Sequence, residues 1–520
     1  MTPNRWKLAR QITQIVSTLF FLTLAFLTFR DSPSIVPVDL YFRVDPLVAV
    51  GAMIAERAFI TTFVLAIIAL LLGFVFGRAW CGWLCPLGAM LDWTSPSNAG
   101  KHETHAHWRG IKYFLLFTIA IAALMGNLTF MFLDPITLFN RTFASAFLPA
   151  LNVVIVGIET IINPFAPSLV DAIEQNFRFA VPVLPAQQTF YQMGILFSAV
   201  FALIVVLNWV ASRFWCRYLC PLGAIYALQA RFAFLQPRAV TDCEHCAACV
   251  RACPTSAITV RKTGFSVEPS ECVMCMDCAT ACPTSTIAIN FALPKKQDEK
   301  PTDSFVVRPP SSIGVSRRQF IGSAAAAVTS VALFRSAPQA RRDDAFLIRP
   351  PGARENDFLS KCIRCSECVK VCPTGTLQPS LFESGIEGFW SPLLQTRLGY
   401  CDYSCNACGQ ICPTGAIPLL SLEEKRNQVI GLAYIDQNRC IPWSAYRPCV
   451  VCEEMCPVPE KAIRMDDVNV TTPDGKQVHV QRPRVITDLC IGCGICEYQC
   501  PLQGPAAIRV YVPTQLPPIR

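Results

Sequence analysis

The chain has 520 residues, enough for several domains, and a formal net charge of +8. It is 52% hydrophobic and 16% charged, with a mean hydropathy of +0.38, high for a soluble protein. No DNA-binding motif accompanies the mild positive charge, so nucleic acid is not an expected partner.

The apolar excess lies in residues 1–235, which open with a short basic stretch, residues 1–10. Residues 12–29 are almost uninterrupted apolar sequence, residues 58–77 and 190–210 hold no charge, and residues 111–133 hold only Lys112. Each has about the length that spans a hydrocarbon core of roughly 30 Å, so four transmembrane helices are expected. Residues 143–162 are apolar but include Pro149, Asn152 and Glu159, and are expected to lie re-entrant or at the interface rather than to span. Arg5, Lys7, Arg10, Arg78, Lys101, Arg109, Lys112, Arg213, Arg217 and Arg231 fall at one set of helix ends, whereas the opposite loops mix arginines with acids. Both termini of this unit are therefore expected in the cytoplasm.

The same stretch contains a repeat. Arg78-Ala-Trp-Cys81-Gly-Trp-Leu-Cys85-Pro-Leu-Gly-Ala89 returns as Arg213-Phe-Trp-Cys216-Arg-Tyr-Leu-Cys220-Pro-Leu-Gly-Ala224. An Asp-Pro pair precedes each copy, at Asp45-Pro46 and Asp134-Pro135. Two helices per unit keep both copies in one orientation, so Cys81, Cys85, Cys216 and Cys220 are expected to converge at the cytoplasmic face as a candidate redox or metal quartet. The plainer alternative is a tight helix-ending turn in which the cysteines merely pack. The Asp-Pro pairs read as helix caps. Asp45, Asp134 and Glu159 are alternatively acceptors of protons from a quinol at the outer face, as ionisable groups at membrane depth often are functional. None of His102, His105, His107, His245 and His479 lies in an expected span, so haem b is not expected. No c-type haem site and no Gly-x-Gly-x2-Gly is present, so neither haem c, NAD nor flavin is expected.

Six further runs close with Cys-Pro and use 24 of the 28 cysteines. Three closely spaced thiols and a fourth before proline are the signature of bacterial-type [4Fe–4S] modules, and too crowded for a regular disulfide set. Zinc also takes four thiolates, but the third cysteine and the proline favour iron–sulfur. Residues 236–293 form a two-cluster ferredoxin. The fourth cysteine of such a run serves the other cluster, giving Cys243, Cys246, Cys249 with Cys282, and Cys272, Cys275, Cys278 with Cys253.

Residues 294–340 read as a polar linker followed by Ser316-Arg317-Arg318-Gln319-Phe320-Ile321 and a mild apolar run, the pattern of a twin-arginine export signal or an uncleaved fifth span. Residues 341–520 carry four more runs. Cys362, Cys365, Cys368, Cys372 and Cys490, Cys493, Cys496, Cys500 have standard spacing. Cys401, Cys405, Cys408, Cys412 has one extra residue in its first gap, and Cys440, Cys449, Cys452, Cys456 has eight residues there. The expected fold is therefore mixed. A four-helix α-helical membrane domain with a two-fold internal repeat precedes α+β bacterial-type ferredoxin modules holding six [4Fe–4S] clusters.

Residues 1 to about 293 resemble the NapH type of membrane quinol dehydrogenase, on four helices, two Cys-x3-Cys-Pro motifs and a two-cluster tail. Residues 316–520 resemble the exported four-cluster NapG type, on Arg317-Arg318 and the four runs. The nitrous-oxide reductase regulators and methylamine-utilisation ferredoxins share these parts; the fusion in one chain is a departure. The resemblance implies quinol as donor, a periplasmic molybdopterin reductase or its cytochrome subunit as acceptor, and residence in the bacterial inner membrane. It implies a cytoplasmic first ferredoxin and a periplasmic four-cluster module. By analogy with four-cluster electron-transfer subunits it implies nested pairing, Cys362, Cys365, Cys368 with Cys500, and Cys401, Cys405, Cys408 with Cys456. The competing function is an assembly or redox-maintenance factor for a periplasmic metalloenzyme.

Overall fold

The computed structural model describes residues 3–27, 37–95, 106–168, 191–239, 243, 246–261, 264–284, 287–291, 317–336 and 344–513. The expected linker at residues 294–315, together with Lys101, His102, His105 and His245, lies outside them. Two compact units emerge: Met1–Thr142 with Leu196–Ala332, and Phe143–Ile195 with Leu333–Arg520.

The first unit is built on apolar helices. Pro3–Leu27 forms one helix. Asp45 caps the Pro46–Glu56 helix, which ends with Arg57 in the left-handed region. The expected span at 58–77 becomes a 3-10 turn, Thr61–Phe63, followed by the helix Val64–Phe76, which stops at Gly77, φ +60°. The segment 111–133 is not one helix. Ile111–Leu124 ends at Gly126, φ +72°, and Asn127, whose Oδ1 accepts from the Thr129 amide; a separate 3-10 turn, Thr129–Leu133, follows. Glycine supplies the left-handed conformation that ends the helix there.

The segment 143–162 departs from expectation. Pro135–Ile162 runs as 28 helical residues apolar enough to cross a membrane, and Arg5–Leu27 meets the same test. Pro149 is accommodated because the turn before it, Phe143–Phe147, is π-helical, so the amide that proline lacks is not missed by a regular ladder. Gly194–Val210 and Thr61–Phe76 are shorter apolar helices. Arg317–Ser336, which starts at the twin arginines, is a continuous helix of 20 residues; Phe320 packs edge-on to Phe117, ring centroids 5.6 Å apart.

Short antiparallel ribbons frame the cysteine runs. Leu235–Ala239 pairs with Ile287–Phe291, closing the ends of the first ferredoxin, and Ile258–Arg261 pairs with Gly264–Val267 inside it. In the second unit Leu377–Pro379 pairs with Pro392–Leu394, Leu432–Ile435 with Ile508–Tyr511, and Ile463–Thr471 with Gln477–Val485. His479 lies on that last, exposed hairpin, 3.5 Å from Asp467.

Candidate functional site

None of the 28 cysteines is in a disulfide, so no disulfide framework exists. Local backbone shows how each run curls. In the standard runs the second residue of the first gap (Met274, Arg364, Gly492) and the first residue of the second gap (Ala247, Met276, Ser366, Gly494) are left-handed. A short helix follows, and the fourth cysteine is extended at Cys253, Cys282 and Cys372. Extended backbone is what a following proline demands.

The runs gather in threes plus one. Cys272, Cys275 and Cys278 line a cavity with Cys253, as expected. Cys401, Cys405 and Cys408 line one with Cys372, and Cys440, Cys449 and Cys452 line one with Cys500. Cys362, Cys365 and Cys368 each feel Cys412, and Cys456 shares one buried cluster with Cys490 and Cys496. The nested pairing is therefore corrected. Cys500 joins the Cys440 run, not the Cys362 run, and Cys456 joins the Cys490 run, not the Cys401 run. Neighbouring runs close on each other because a short ribbon brings each pair together. The Leu377–Pro379 ribbon lies between the first two runs, and the Leu432–Ile435 ribbon flanks the last two.

The donor sets suit a cubane. Among the described residues no three His, Cys, Asp or Glu side chains close around a point that could hold a single metal ion. Burial pushes the free thiols up, Cys272 and Cys493 to about 12 and Cys401 and Cys440 to about 11. Thiols so disfavoured as anions need a cation to become thiolates, and an iron–sulfur cluster supplies it. Backbone amides point at the closing sulfurs. Ala257 donates to Cys253 Sγ at 3.3 Å, Ile417 to Cys412 Sγ at 3.4 Å and Ala462 to Cys456 Sγ at 3.3 Å. Such bonds set cluster potential.

In the first unit Cys81, Cys85, Cys216 and Cys220 are all buried, and Cys85 and Cys220 both feel Cys81 and Cys216. Cys85 and Cys220 cap the helices Pro86–Trp93 and Pro221–Ala230, with proline at the first helical position. Each copy's arginine crosses to the other. Arg78 Nη2 donates to the Cys216 carbonyl and Arg213 Nη1 to the Cys81 carbonyl, both at 2.9 Å. The glycine after each Cys-Pro-Leu lets its helix close in; a Cβ at Gly88 would sit 2.4 Å from the Cys81 carbonyl oxygen.

The first ferredoxin rests on this motif. Arg78 Nη1 donates to the Ser270 carbonyl at 2.7 Å and to Glu271 at 3.2 Å, and Lys112 donates to Glu271 at 2.6 Å. Trp83 Nε1 donates to the Met274 carbonyl at 3.0 Å. Asp92 binds Arg213 through both oxygens. Burial alone would raise Glu271 and Asp92, but Lys112 and Arg78 outweigh it for Glu271 and Arg213 and Arg10 for Asp92, so both carboxyls lie below their ordinary values. Groups depressed on folding stabilise above their unfolded pKa. The docked arrangement is expected to be constant from neutral pH to about 5 and to weaken below about 4, read as a change in fluorescence of tryptophans such as Trp83.

These ion pairs were not evident from sequence. Arg78 and Arg213 stand out only as charges at a helix end, although their repetition three residues before each first cysteine was the available signal. Gly82 is a second such residue. A Cβ there would meet the Val273 carbonyl oxygen at 2.2 Å. Gly82→Ala is expected to displace the Cys272–Cys278 loop and slow its reduction, with iron content unchanged; stopped-flow absorbance against iron assay checks this.

A chain folded around several thiolate triads, each closed by a cysteine from a neighbouring run, is a multi-module ferredoxin-type iron–sulfur electron-transfer protein. Known families agree. One 4Fe-4S binding domain matches twice, at residues 58–101 and 193–238; 4Fe-4S dicluster domains match residues 242–286 and 361–417, and a further 4Fe-4S binding domain matches residues 483–503. Ferredoxin-type protein NapG of Escherichia coli is 34% identical over 174 residues, 32% of this chain and 72% of that protein. The methylamine utilization ferredoxin-type protein MauM of Methylorubrum extorquens is 36% identical over 207 residues, 38% of this chain and 88% of that protein. MauN of Methylobacillus flagellatus is 26% identical over 275 residues, 48% of this chain and 76% of that protein. The chain belongs to this NapG and MauM ferredoxin-type family. No solved structure matches it.

Proposed function

We propose that this protein oxidises quinol at the inner membrane and passes the electrons through six [4Fe–4S] clusters to a periplasmic reductase of the molybdenum nitrate reductase type. The observation that carries this reading is the seating of the Cys272–Cys278 loop on the Cys81–Cys85 motif, through Arg78, Trp83 and Glu271. A redox quartet and a cluster-binding loop share one buried contact, as a donor and its acceptor must. The crossed arginine bonds and the doubly matched family support a two-fold repeat in a four-span membrane domain.

The second unit supports a continuous route of its own. Tyr191 and Gln192, at the outer end of the expected span 190–210, pack into the four-cluster module: Tyr191 Oη donates to the Val369 carbonyl at 3.2 Å and the Gln192 amide to Gln378 at 3.3 Å. This supports a periplasmic position for that module. Its two halves then join directly, the Cys401 amide donating to the Cys493 carbonyl at 2.8 Å. The Arg317–Ser336 helix, at about 1.5 Å rise per residue, has the length of an uncleaved span.

The test is reduction of the clusters in purified membranes by a quinol, with about 24 iron atoms per chain expected from six cubanes. Clusters that dithionite reduces and quinol does not would sink the conduit. They would favour the second reading, an assembly or redox-maintenance factor whose buried thiol quartet serves another metalloenzyme. Activity of alkaline phosphatase fused to the C-terminus checks the side of the membrane; an inactive fusion would overturn the exported position.

A further inference from the structure

The membrane module buries two carboxyl groups that electron transfer leaves unused. Asp45 and Asp134 are both fully buried. Each spends one oxygen on the helix that its own Asp-Pro pair begins. Asp45 Oδ1 accepts from the amides of Leu47 at 2.8 Å and Val48 at 3.4 Å. Asp134 Oδ2 accepts from the Thr137 amide at 2.8 Å and hydroxyl at 2.7 Å. The other two oxygens, Asp45 Oδ2 and Asp134 Oδ1, are buried without a hydrogen-bond donor. The two carboxyls act on each other instead.

Two buried carboxylate anions acting on each other, with no donor to their free oxygens, cannot both stay ionised. One proton must lie between them. A cap explains one oxygen of each residue, and serine or threonine would serve as well. It does not explain why both caps are acids that meet in a dry interior, where an unpaired polar group is costly.

A second observation places the pair beside the redox site. Tyr226 is 1% exposed and its hydroxyl has no hydrogen-bond partner. It interacts electrostatically with Asp45 and with Cys81 and Cys85, and Cys85 interacts with Asp134. The helices enforce this. Pro46–Glu56 packs on Pro221–Ala230, and Pro135–Thr142 packs on Pro86–Trp93, so each helix that starts at Asp-Pro lies against one that starts at Cys-Pro. The nearby charged groups are otherwise engaged: Arg141 faces the Phe132 carbonyl and the Phe197 ring, and Arg43 pairs with Asp39.

We infer that Asp45 and Asp134 form a proton-binding site, holding one shared proton at rest and accepting a second when quinol is oxidised. This rests on the quinol reading above. The quinol O–H bond breaks, the proton binds the ionised carboxylate of the pair, and the bonding electrons stay on the quinol oxygen. Quinol leaves as quinone after giving two electrons to the iron–sulfur route, and the pair releases each proton in turn to water. The pair is a relay coupled to the quartet through Tyr226 and Cys85.

Asp45→Asn and Asp134→Asn test this in membranes holding the full chain. Asparagine keeps the cap and can donate to the remaining carboxylate, but it carries no exchangeable acid proton. Quinol-driven cluster reduction is expected to fall on the order of ten-fold or more in each variant, with the double variant no slower than the singles. Dithionite-driven reduction should be unchanged, which shows that the variants are folded and loaded. Reduced-minus-oxidised infrared spectra should show a carboxyl C=O band that shifts in D2O and is missing from both variants. Wild-type rates and pH profiles in both variants, or no such band in the parent protein, would overturn the proposal. If quinol fails to reduce even the parent, the conduit reading falls. The infrared band on dithionite reduction then decides the pair by itself: present in the parent and lost in the variants, it upholds the shared proton.

Discussion

Cys500→Ala is expected to abolish the same iron–sulfur signal as Cys449→Ala and to spare the signal that Cys365→Ala abolishes. Cys500 lines one cavity with Cys440, Cys449 and Cys452, and its charge is felt at Cys440. Cys412, by contrast, acts on Cys362, Cys365 and Cys368. Each variant should therefore lose about four of about 24 irons, and the losses should sort as Cys412 with Cys365 and Cys500 with Cys449. Low-temperature paramagnetic resonance of the reduced variants reads the identity of the missing centre. Nested ligation would instead give Cys500 and Cys365 the same spectrum. The loss should extend to stability. Cys456, Cys490 and Cys496 stand in one hydrophobic cluster with Leu432, Ile463 and Ile508, and a module ordered by its metal loosens when a cluster goes.

The contrast between these cysteines marks what a sequence discloses. The triads are legible because ligand spacing within a run is local chemistry. Left-handed backbone at Met276 and Gly494 is a consequence of that spacing. Which distant cysteine closes each triad is not legible, since it depends on how ribbons such as Leu432–Ile435 with Ile508–Tyr511 fold the chain back. Apolar runs are legible as helices, but their ends are decided by single residues. Gly126 and Asn127 end a helix inside a stretch that hydropathy reads as continuous, and a π-turn carries a helix through Pro149 where proline reads as a break. Charges mislead most. Arg78, Lys112 and Arg213 count as evidence of topology, yet all three are buried and spent on Glu271 and Asp92. Those two acids carry no sequence signal, because their role is created by burial.

Glu271→Ala should therefore be among the most damaging single changes in the first unit. Among the described residues Glu271 is the carboxylate facing both Lys112, at 2.6 Å, and Arg78, at 3.2 Å, with side chains 0% and 1% exposed. Removing it leaves two cations buried together without an anion. Breaking a buried ion pair from one side costs about 3–5 kcal/mol, far more than a surface pair contributes. Glu271→Gln should cost less, since the amide oxygen still accepts from Lys112 or Arg78. The triple change Glu271→Met, Lys112→Met, Arg78→Met should recover part of the loss in stability, because no charge is then stranded. It should not recover function, since Arg78 also holds the Cys216 and Ser270 carbonyls. Thermal loss of iron–sulfur absorbance measures the first effect and quinol-driven reduction the second. If Glu271→Ala melts with the parent, the ferredoxin is not seated on the Cys81–Cys85 motif through this acid. If instead it melts early and the triple variant is rescued in both assays, Arg78 positions nothing beyond its own charge. Early melting with rescue of stability alone is the result that the buried network requires, because it separates the charge that must be neutralised from the guanidinium that spans the two cysteine motifs.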